Sequence, residues 1–298
     1  MKDTLYFAEK KLSDTLKILE RYSRKATILA GGTDLVPRIN RYLLKPEVLV
    51  YIGNLGLDQI REEDGRLIIG ATTSIATLAA AKSIEKQTPI LSQAARQAAT
   101  FAIRSVATIG GNIANASPAA DLVTPLLAMD AELRIASLGG ERVIPLHGFF
   151  KGPGRTVLKP GELITEVSVP VRSGKSVFLK LGRRKAMSLS VVNVAAWLEL
   201  KRGKCGEARI AVGGVAPVPL RCFAAEDMLK GKLIFPELIR SCARKAMAAS
   251  RPVDDRRGSA WYRRVAGTAL VARALAMAAG IEIDEEVTTS WSIRSLSY

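Results

Sequence analysis

Apolar and polar positions alternate or recur along this chain in two registers, and together they predict a succession of strands and helices. Residues 13–24, opening at Ser13 as an N-cap, place Leu16, Leu19 and Tyr22 on one face of a short helix. The run Ala26-Thr27-Ile28-Leu29-Ala30 reads as a strand that ends in the glycine turn Gly31-Gly32-Thr33-Asp34. Val48 to Ile52 and Leu67 to Gly70 read as further strands, the latter preceded by the turn Asp64-Gly65. Alanine-rich segments at 74–82 and 90–100 read as helices, a loop around Thr108 to Asn112 follows, and Asp121 to Met129 resumes a helical pattern.

Strands dominate from there. Ala131 to Ser137 and Glu141 to Pro145 flank the hairpin signal Leu138-Gly139-Gly140, and Leu163 to Pro170 alternates as a half-buried strand does. Residues 176–182, 190–201 and 207–215 form a predicted strand meander, with Lys201-Arg202-Gly203-Lys204 as one of its turns. Helices over 222–230, 235–249 and 260–279 would pack on it, and Arg251 to Ser259 is expected to be an exposed, mobile loop. The whole reads as α+β, with a boundary at Pro170 to Gly174.

Composition narrows the function classes. The 298 residues are 48% hydrophobic and 24% charged, ordinary for a soluble chain, and nowhere do eighteen apolar residues run together. The N-terminus shows no secretory pattern, so a cytoplasmic location is the default. Three well-separated cysteines, Cys205, Cys222 and Cys242, offer neither a disulfide framework nor a metal-ligand spacing. The net charge of +16 is consistent with nucleic acid binding, but the basic residues are scattered and lack interleaved aromatics. A positively biased surface that docks onto acidic partners accounts for it better. Arg240, Arg244, Lys245, Arg256, Arg257, Arg263 and Arg264 form either such a docking surface or a solvated face.

Candidate chemistry is concentrated in two glycine-centred segments. In Leu29-Ala30-Gly31-Gly32-Thr33-Asp34-Leu35, successive backbone N–H groups could cradle a pyrophosphate, with the Thr33 hydroxyl as a further donor. Ordinary turn chemistry is the plainer reading, and the spacing is not that of a Rossmann dinucleotide site. The second segment runs from Ala107 to Asp121. It holds Gly110 and Gly111 between Thr108 and Asn112, then Asn115, Ser117 and a proline. Asp121 could accept hydrogen bonds from ribose hydroxyls, or simply complement a helix dipole.

Together, TIGGNIANASPAAD and LAGGTDL resemble the FAD-binding signature of the xanthine dehydrogenase family. That family includes the flavin-carrying medium subunits of aerobic-type carbon monoxide dehydrogenases and 4-hydroxybenzoyl-CoA reductases. The likeness extends through KLGRRKAMSLSVVNVAAWLEL and GGVAPVPLR, and so covers nearly the whole chain. It implies an FAD-binding domain over residues 1–172, with subdomains of about 1–55 and 56–172, and a C-terminal flavoprotein domain over 173–298. It further implies that Ala30, Gly31, Gly32, Thr33 and Asp34 line a phosphate loop, and that Phe101 and Ala102 sit near FAD. Thr108, Gly111 and Asn112 would bind the cofactor, and Asp121 would hold ribose. Leu163 and Lys180 would approach its flavin or adenine end, while Phe178 falls where some relatives place a tyrosine against the flavin ring.

The function implied is electron transfer within a molybdenum hydroxylase complex. The partners would be a molybdopterin-containing large subunit, a small subunit with [2Fe–2S] clusters, and an acceptor such as NAD or a quinone. The inserted cysteine-bearing loop of the 4-hydroxybenzoyl-CoA reductases is missing, so no iron–sulfur centre is expected on this chain. No catalytic acid or base stands out, and the lone histidine, His147, is expected to be structural rather than a covalent flavin attachment. The competing readings are a free-standing FAD oxidase or reductase, a basic nucleic-acid-binding protein, and a structural subunit without flavin.

Overall fold

The computed structural model describes residues 4–184 and 187–283, built around separate sheets. The first sheet comprises β1 (Leu5–Phe7), β2 (Ala26–Leu29) and β3 (Val48–Tyr51), with α1 (Leu12–Tyr22) and α2 (Leu35–Asn40) as the connections. The order is β1-β3-β2 and both pairings are parallel, so each connection must cross over, which the helices do. Leu16 and Leu19 of α1 bury against Val48 and Val50. The helix begins at Leu12 with Lys11 at the cap and no capping side chain, so Ser13 is not its N-cap as the sequence suggested. Leu12 packs against the same core, and that contact draws one more residue into the helix.

The second unit contains β4 (Ile60–Glu63) and β5 (Arg66–Gly70), followed by six short helices: α3 (Ile75–Ala80), α4 (Lys82–Gln87), α5 (Pro89–Gln97), α6 (Phe101–Val106), α7 (Ile109–Ala114) and α8 (Val123–Ala128). The strands β6 (Glu132–Ser137) and β7 (Gly140–Pro145) come next. A small hairpin, β8 (Phe150–Gly152) with β9 (Arg155–Thr156), precedes β10 (Leu163–Pro170). The five-stranded sheet has the order β4-β5-β10-β6-β7 and is antiparallel throughout. Its inner face packs on the helices through Leu67, Ile69, Leu133, Ile135 and Val167.

The last unit is the meander β11 (Lys175–Gly182), β12 (Ser190–Lys201), β13 (Lys204–Gly213) and β14 (Leu220–Arg221), followed by α9 (Phe223–Leu229), α10 (Pro236–Met247) and α11 (Ala260–Ala279). Side chains on a strand alternate between faces, and here both faces are covered. Val192, Val194, Ala196 and Leu198 meet the helices, whereas Phe178, Ala195 and Trp197 join the core of the second unit. The seam between the units is therefore a continuous apolar interior, crossed at two places by ion pairs, Lys180–Asp121 and Arg221–Asp130.

The segment from Arg251 to Ser259 is largely exposed, as expected, and is tied to the rest of the fold by hydrogen bonds. Arg251 N–H donates to Val215 O, and Asp255 accepts from Arg257 and from the buried Arg263. Arg263 is only 2% exposed, so it belongs to the interior and not to any basic docking face. The three cysteines are buried thiols in the C-terminal core, and burial raises Cys222 and Cys242 to about 12. His147 is exposed and meets Phe223 edge-on at 5.0 Å. Among the described residues no helix is long and apolar enough to cross a membrane.

Candidate functional site

A cleft of about 310 Å³ opens where the first sheet meets the second unit. One wall is the chain from Ile28 to Leu35, which leaves β2 and turns into α2. Gly31 is required there because a β-carbon would lie 1.8 Å from Val106 O, at the end of α6. Gly32 has φ +68°, a conformation that side chains resist. Among the described residues no acceptor engages the N–H groups of Gly31, Gly32, Thr33 or Asp34. Successive free N–H groups in one turn form an anion-binding concavity.

The opposite wall differs from the loop expected at Thr108 to Asn112. Those residues form α7, with the Thr108 hydroxyl as N-cap accepting from Gly111 N–H at 3.0 Å. Ile109 N–H donates to Thr73 O and Gly110 N–H to Ala71 O, so this pair of glycines has no free amides to offer an anion. Gly110 serves packing instead, since a β-carbon would come within 2.7 Å of Ala71 O. What this wall does present is side chains. Thr108, Asn112 and Asn115 line the cleft, and Asn112 Oδ1 is buried with no hydrogen-bond partner. A buried polar atom left unpaired is costly, and a ligand donor would satisfy it.

Of the residues predicted from sequence, Leu29, Ala30, Gly31, Gly32, Thr33, Asp34, Leu35, Thr108, Gly110, Gly111, Asn112, Asn115 and Leu163 converge on this cleft. Phe101 and Ala102 lie outside its lining, exposed on α6. Asp121 and Lys180 are also outside it; they pair at 2.6 Å on the seam. Asp121 is not a helix cap, because α8 begins two residues later behind Leu122. Phe178 is 2% exposed and packed in the core.

Two charged lining residues were missed, Arg38 and Glu162. Arg38 stands one helical turn from Asp34 and pairs with it at 3.6 Å. Burial pushes the Glu162 carboxyl up, but hydrogen bonds from Arg142 and from Lys159 N–H outweigh this and hold it below its ordinary value. Both carboxylates on the lining are thus already paired with arginine.

The fit to known families follows this geometry. Residues 2–172 match the family model for the FAD binding domain in molybdopterin dehydrogenase, and residues 177–278 match that for the CO dehydrogenase flavoprotein C-terminal domain. The chain belongs to the FAD-binding medium subunits of the xanthine dehydrogenase and carbon monoxide dehydrogenase family. It is 33% identical to the glyceraldehyde dehydrogenase medium chain of Sulfolobus acidocaldarius, over 87% of this chain and 92% of that one. Identity is 37% to the 6-hydroxypseudooxynicotine dehydrogenase complex subunit alpha of Paenarthrobacter nicotinovorans, over 92% of this chain and 93% of that one. Its fold matches carbon monoxide dehydrogenase from Hydrogenophaga pseudoflava with a TM-score of 0.89 at 31% identity, covering 93% of this chain and 98% of the matched one. The cofactor of this flavoprotein family is FAD, and the donor set of the cleft fits it. Free amides suit its pyrophosphate, and the unpaired Asn112 oxygen suits a hydroxyl or N–H group.

Proposed function

We propose that this chain holds FAD as an electron relay between the [2Fe–2S] clusters of a small subunit and an external acceptor such as NAD or a quinone. A large subunit with the molybdopterin would carry the substrate chemistry. The observation that supports this most strongly is the convergence of two distant segments on one cleft, one with successive free amides and the other with the buried, unpaired Asn112 Oδ1 beside Thr108 and Asn115. The N–H groups of Gly31 to Asp34 would hold the pyrophosphate, and Arg38 offsets the Asp34 carboxylate at the same wall. Thr108, Asn112 and Asn115 would orient the adjoining part of the cofactor, with Leu163 as an apolar contact. Asp121 and Lys180, on the seam, would take sugar or ribityl hydroxyls, and Phe101 and Ala102, exposed on α6, would meet the part of the cofactor that projects beyond the cleft lining. When bound, the flavin supplies the ability to take up electrons singly and pass them on as a pair.

The absence of a free acid or base on the lining, among the described residues, favours a relay over an oxidase with its own substrate pocket. The deciding experiment is an absorption spectrum of the purified full chain, followed by heat release of its cofactor. Flavin bands near roughly 370 and 450 nm and release of FAD rather than FMN are expected. Gly31→Ala, whose β-carbon would collide with Val106 O, is expected to come out colourless under the same purification. A wild-type chain that takes up no added FAD would overturn the assignment.

A further inference from the structure

The Asp121 carboxylate is held from the C-terminal sheet by more than its ion pair. Asp121 Oδ1 accepts from the Ser190 hydroxyl at 2.5 Å and from Asn193 Nδ2 at 3.1 Å, both on β12. Asn193 Oδ1 in turn accepts from the Thr124 hydroxyl of α8 at 2.6 Å. Lys180 Nζ donates to the other carboxylate oxygen, Oδ2, at 2.6 Å and to Gln97 O at 3.0 Å. Thr124, Ser190 and Asn193 are all 0% exposed. The register partner of Asn193 is Gly213, where a β-carbon would lie 2.3 Å from Asn193 Oδ1 and 2.6 Å from Thr124 Oγ1. A glycine at 213 therefore leaves room for the Thr124–Asn193 bond.

Each atom in this network has a fixed role. The Asp121 carboxylate can only accept, so it fixes the Asn193 N–H toward itself and leaves Asn193 Oδ1 to the Thr124 hydroxyl; a flipped amide would set oxygen against oxygen at Asp121. Asp121 Oδ1 is saturated by two neutral donors, and Oδ2 is left as the oxygen that shares Lys180 and can take another donor. Without those neutral donors, a buried carboxylate would turn both oxygens toward the ammonium group, because the ion pair would be its main compensation for desolvation. Asp121 also follows within six residues of the cleft-lining Asn115.

We propose that Asn193, with Ser190 and Thr124 in support, is the positioning residue that aims Asp121 Oδ2 and Lys180 at a cofactor hydroxyl. The FAD site is then bipartite: it is complete only when β12 of the C-terminal domain is docked, although no β12 residue lines the cleft. This rests on the assignment of Asp121 and Lys180 to the cofactor.

The test is FAD titration of the full chain, and of the complex recovered through a tag on this chain, for wild type, Asn193→Ala, Asn193→Asp and Val194→Ala. Val194 is the next residue on β12, is 0% exposed and faces the helices, so its truncation reports a loss of packing alone. Asn193→Ala should weaken FAD binding roughly 10- to 100-fold, the effect of losing a hydrogen bond to a buried charge. Val194→Ala should leave FAD affinity within about twofold at a temperature where it is folded. Asn193→Asp sets a second carboxylate against Asp121, and one shared proton restores a donor, so its deficit relative to wild type should shrink as the pH falls toward about 5. Should Asn193→Ala fail to fold, Ser190→Ala, which deletes one hydroxyl, should show a smaller loss in the same direction. Equal affinity of wild type and Asn193→Ala, or a pH-independent deficit in Asn193→Asp, overturns the positioning role while leaving FAD binding intact. A wild-type chain that binds no FAD overturns the cofactor reading and this inference with it.

Discussion

Arg263, near the start of α11, donates to Val191 O, Gly214 O, Gly258 O and the Asp255 carboxylate, and so ties two strand ends and a loop to one helix. A buried guanidinium holds such a position only when its donors are paired. Asp255 receives Arg257 as well, and that side-chain hydrogen bond is the chief reason its carboxyl is held well below the usual carboxylate range. A depressed carboxylate stabilises the fold above its unfolded pKa of about 3.9 and loses that contribution as pH falls further, toward the folded value. Asp255→Asn is therefore expected to cost about 1 kcal/mol at pH 7, because solvent screens the exposed carboxylate and Arg263 keeps its carbonyl acceptors. Thermal melts between pH 7 and pH 2.5 check this: the gap between wild type and variant should stay constant down to about pH 4 and narrow below it. A gap that widened on acidification would assign the stabilisation elsewhere.

The helix α7 is the element on which sequence and structure part most informatively. Two adjacent glycines are poor helix formers, so Thr108 to Asn112 reads as a loop. In the fold Thr108 caps the turn and Gly110 fits against Ala71, and these tertiary terms outweigh the propensity. Thr108→Ala is expected to lower stability by about 1 kcal/mol by freeing Gly111 N–H, and Thr108→Ser to restore it, as denaturant midpoints would show. Three elements governed by alternation or by end signals were legible to the residue, whereas α1 starts ahead of Ser13 and β13, read as 207–215, runs Lys204–Gly213. β10 and β12 begin and end where their patterns do, and α11 runs from the Ser259 cap to the left-handed Gly280. The cleft was half legible. Its two glycine motifs are contiguous in sequence and therefore visible. Arg38 needed α2, which no pattern announced, and Asn193 meets Asp121 across 72 residues. The bonds that tie the exposed loop at Arg251 to Ser259 were not legible, because the carbonyls that hold Arg263 lie at the ends of distant strands.

At the scale of the whole molecule, the C-terminal sheet has no solvent face of its own, so its stability is bound up with that of the FAD-binding part. The seam is sealed by the apolar Phe178, Ala195 and Trp197 and by a charged knot around Asp130. Asp130 takes hydrogen bonds from Arg172, Arg209 and Arg221; burial pushes its carboxyl up, but the arginines outweigh that and hold it low. Arg221 is 3% exposed at its side chain and also engages Glu226 and Leu127 O, so it touches both sides of the seam. Breaking a buried ion pair from one end leaves an uncompensated charge, and Arg221→Met is expected to cost roughly 3–5 kcal/mol. Glu226 still accepts from Ile210 N–H, so a neutral glutamine there can keep one bond. The double variant Arg221→Met with Glu226→Gln should recover more than half of the loss, because the stranded charge, rather than the missing contact, is the larger part of it. Calorimetry should show one cooperative transition for wild type and two resolved transitions for Arg221→Met, with the C-terminal sheet melting first. A single transition in the variant would mean that the apolar contacts of Phe178, Ala195 and Trp197 alone couple the two parts, and that the charged knot sets their alignment without joining their stability.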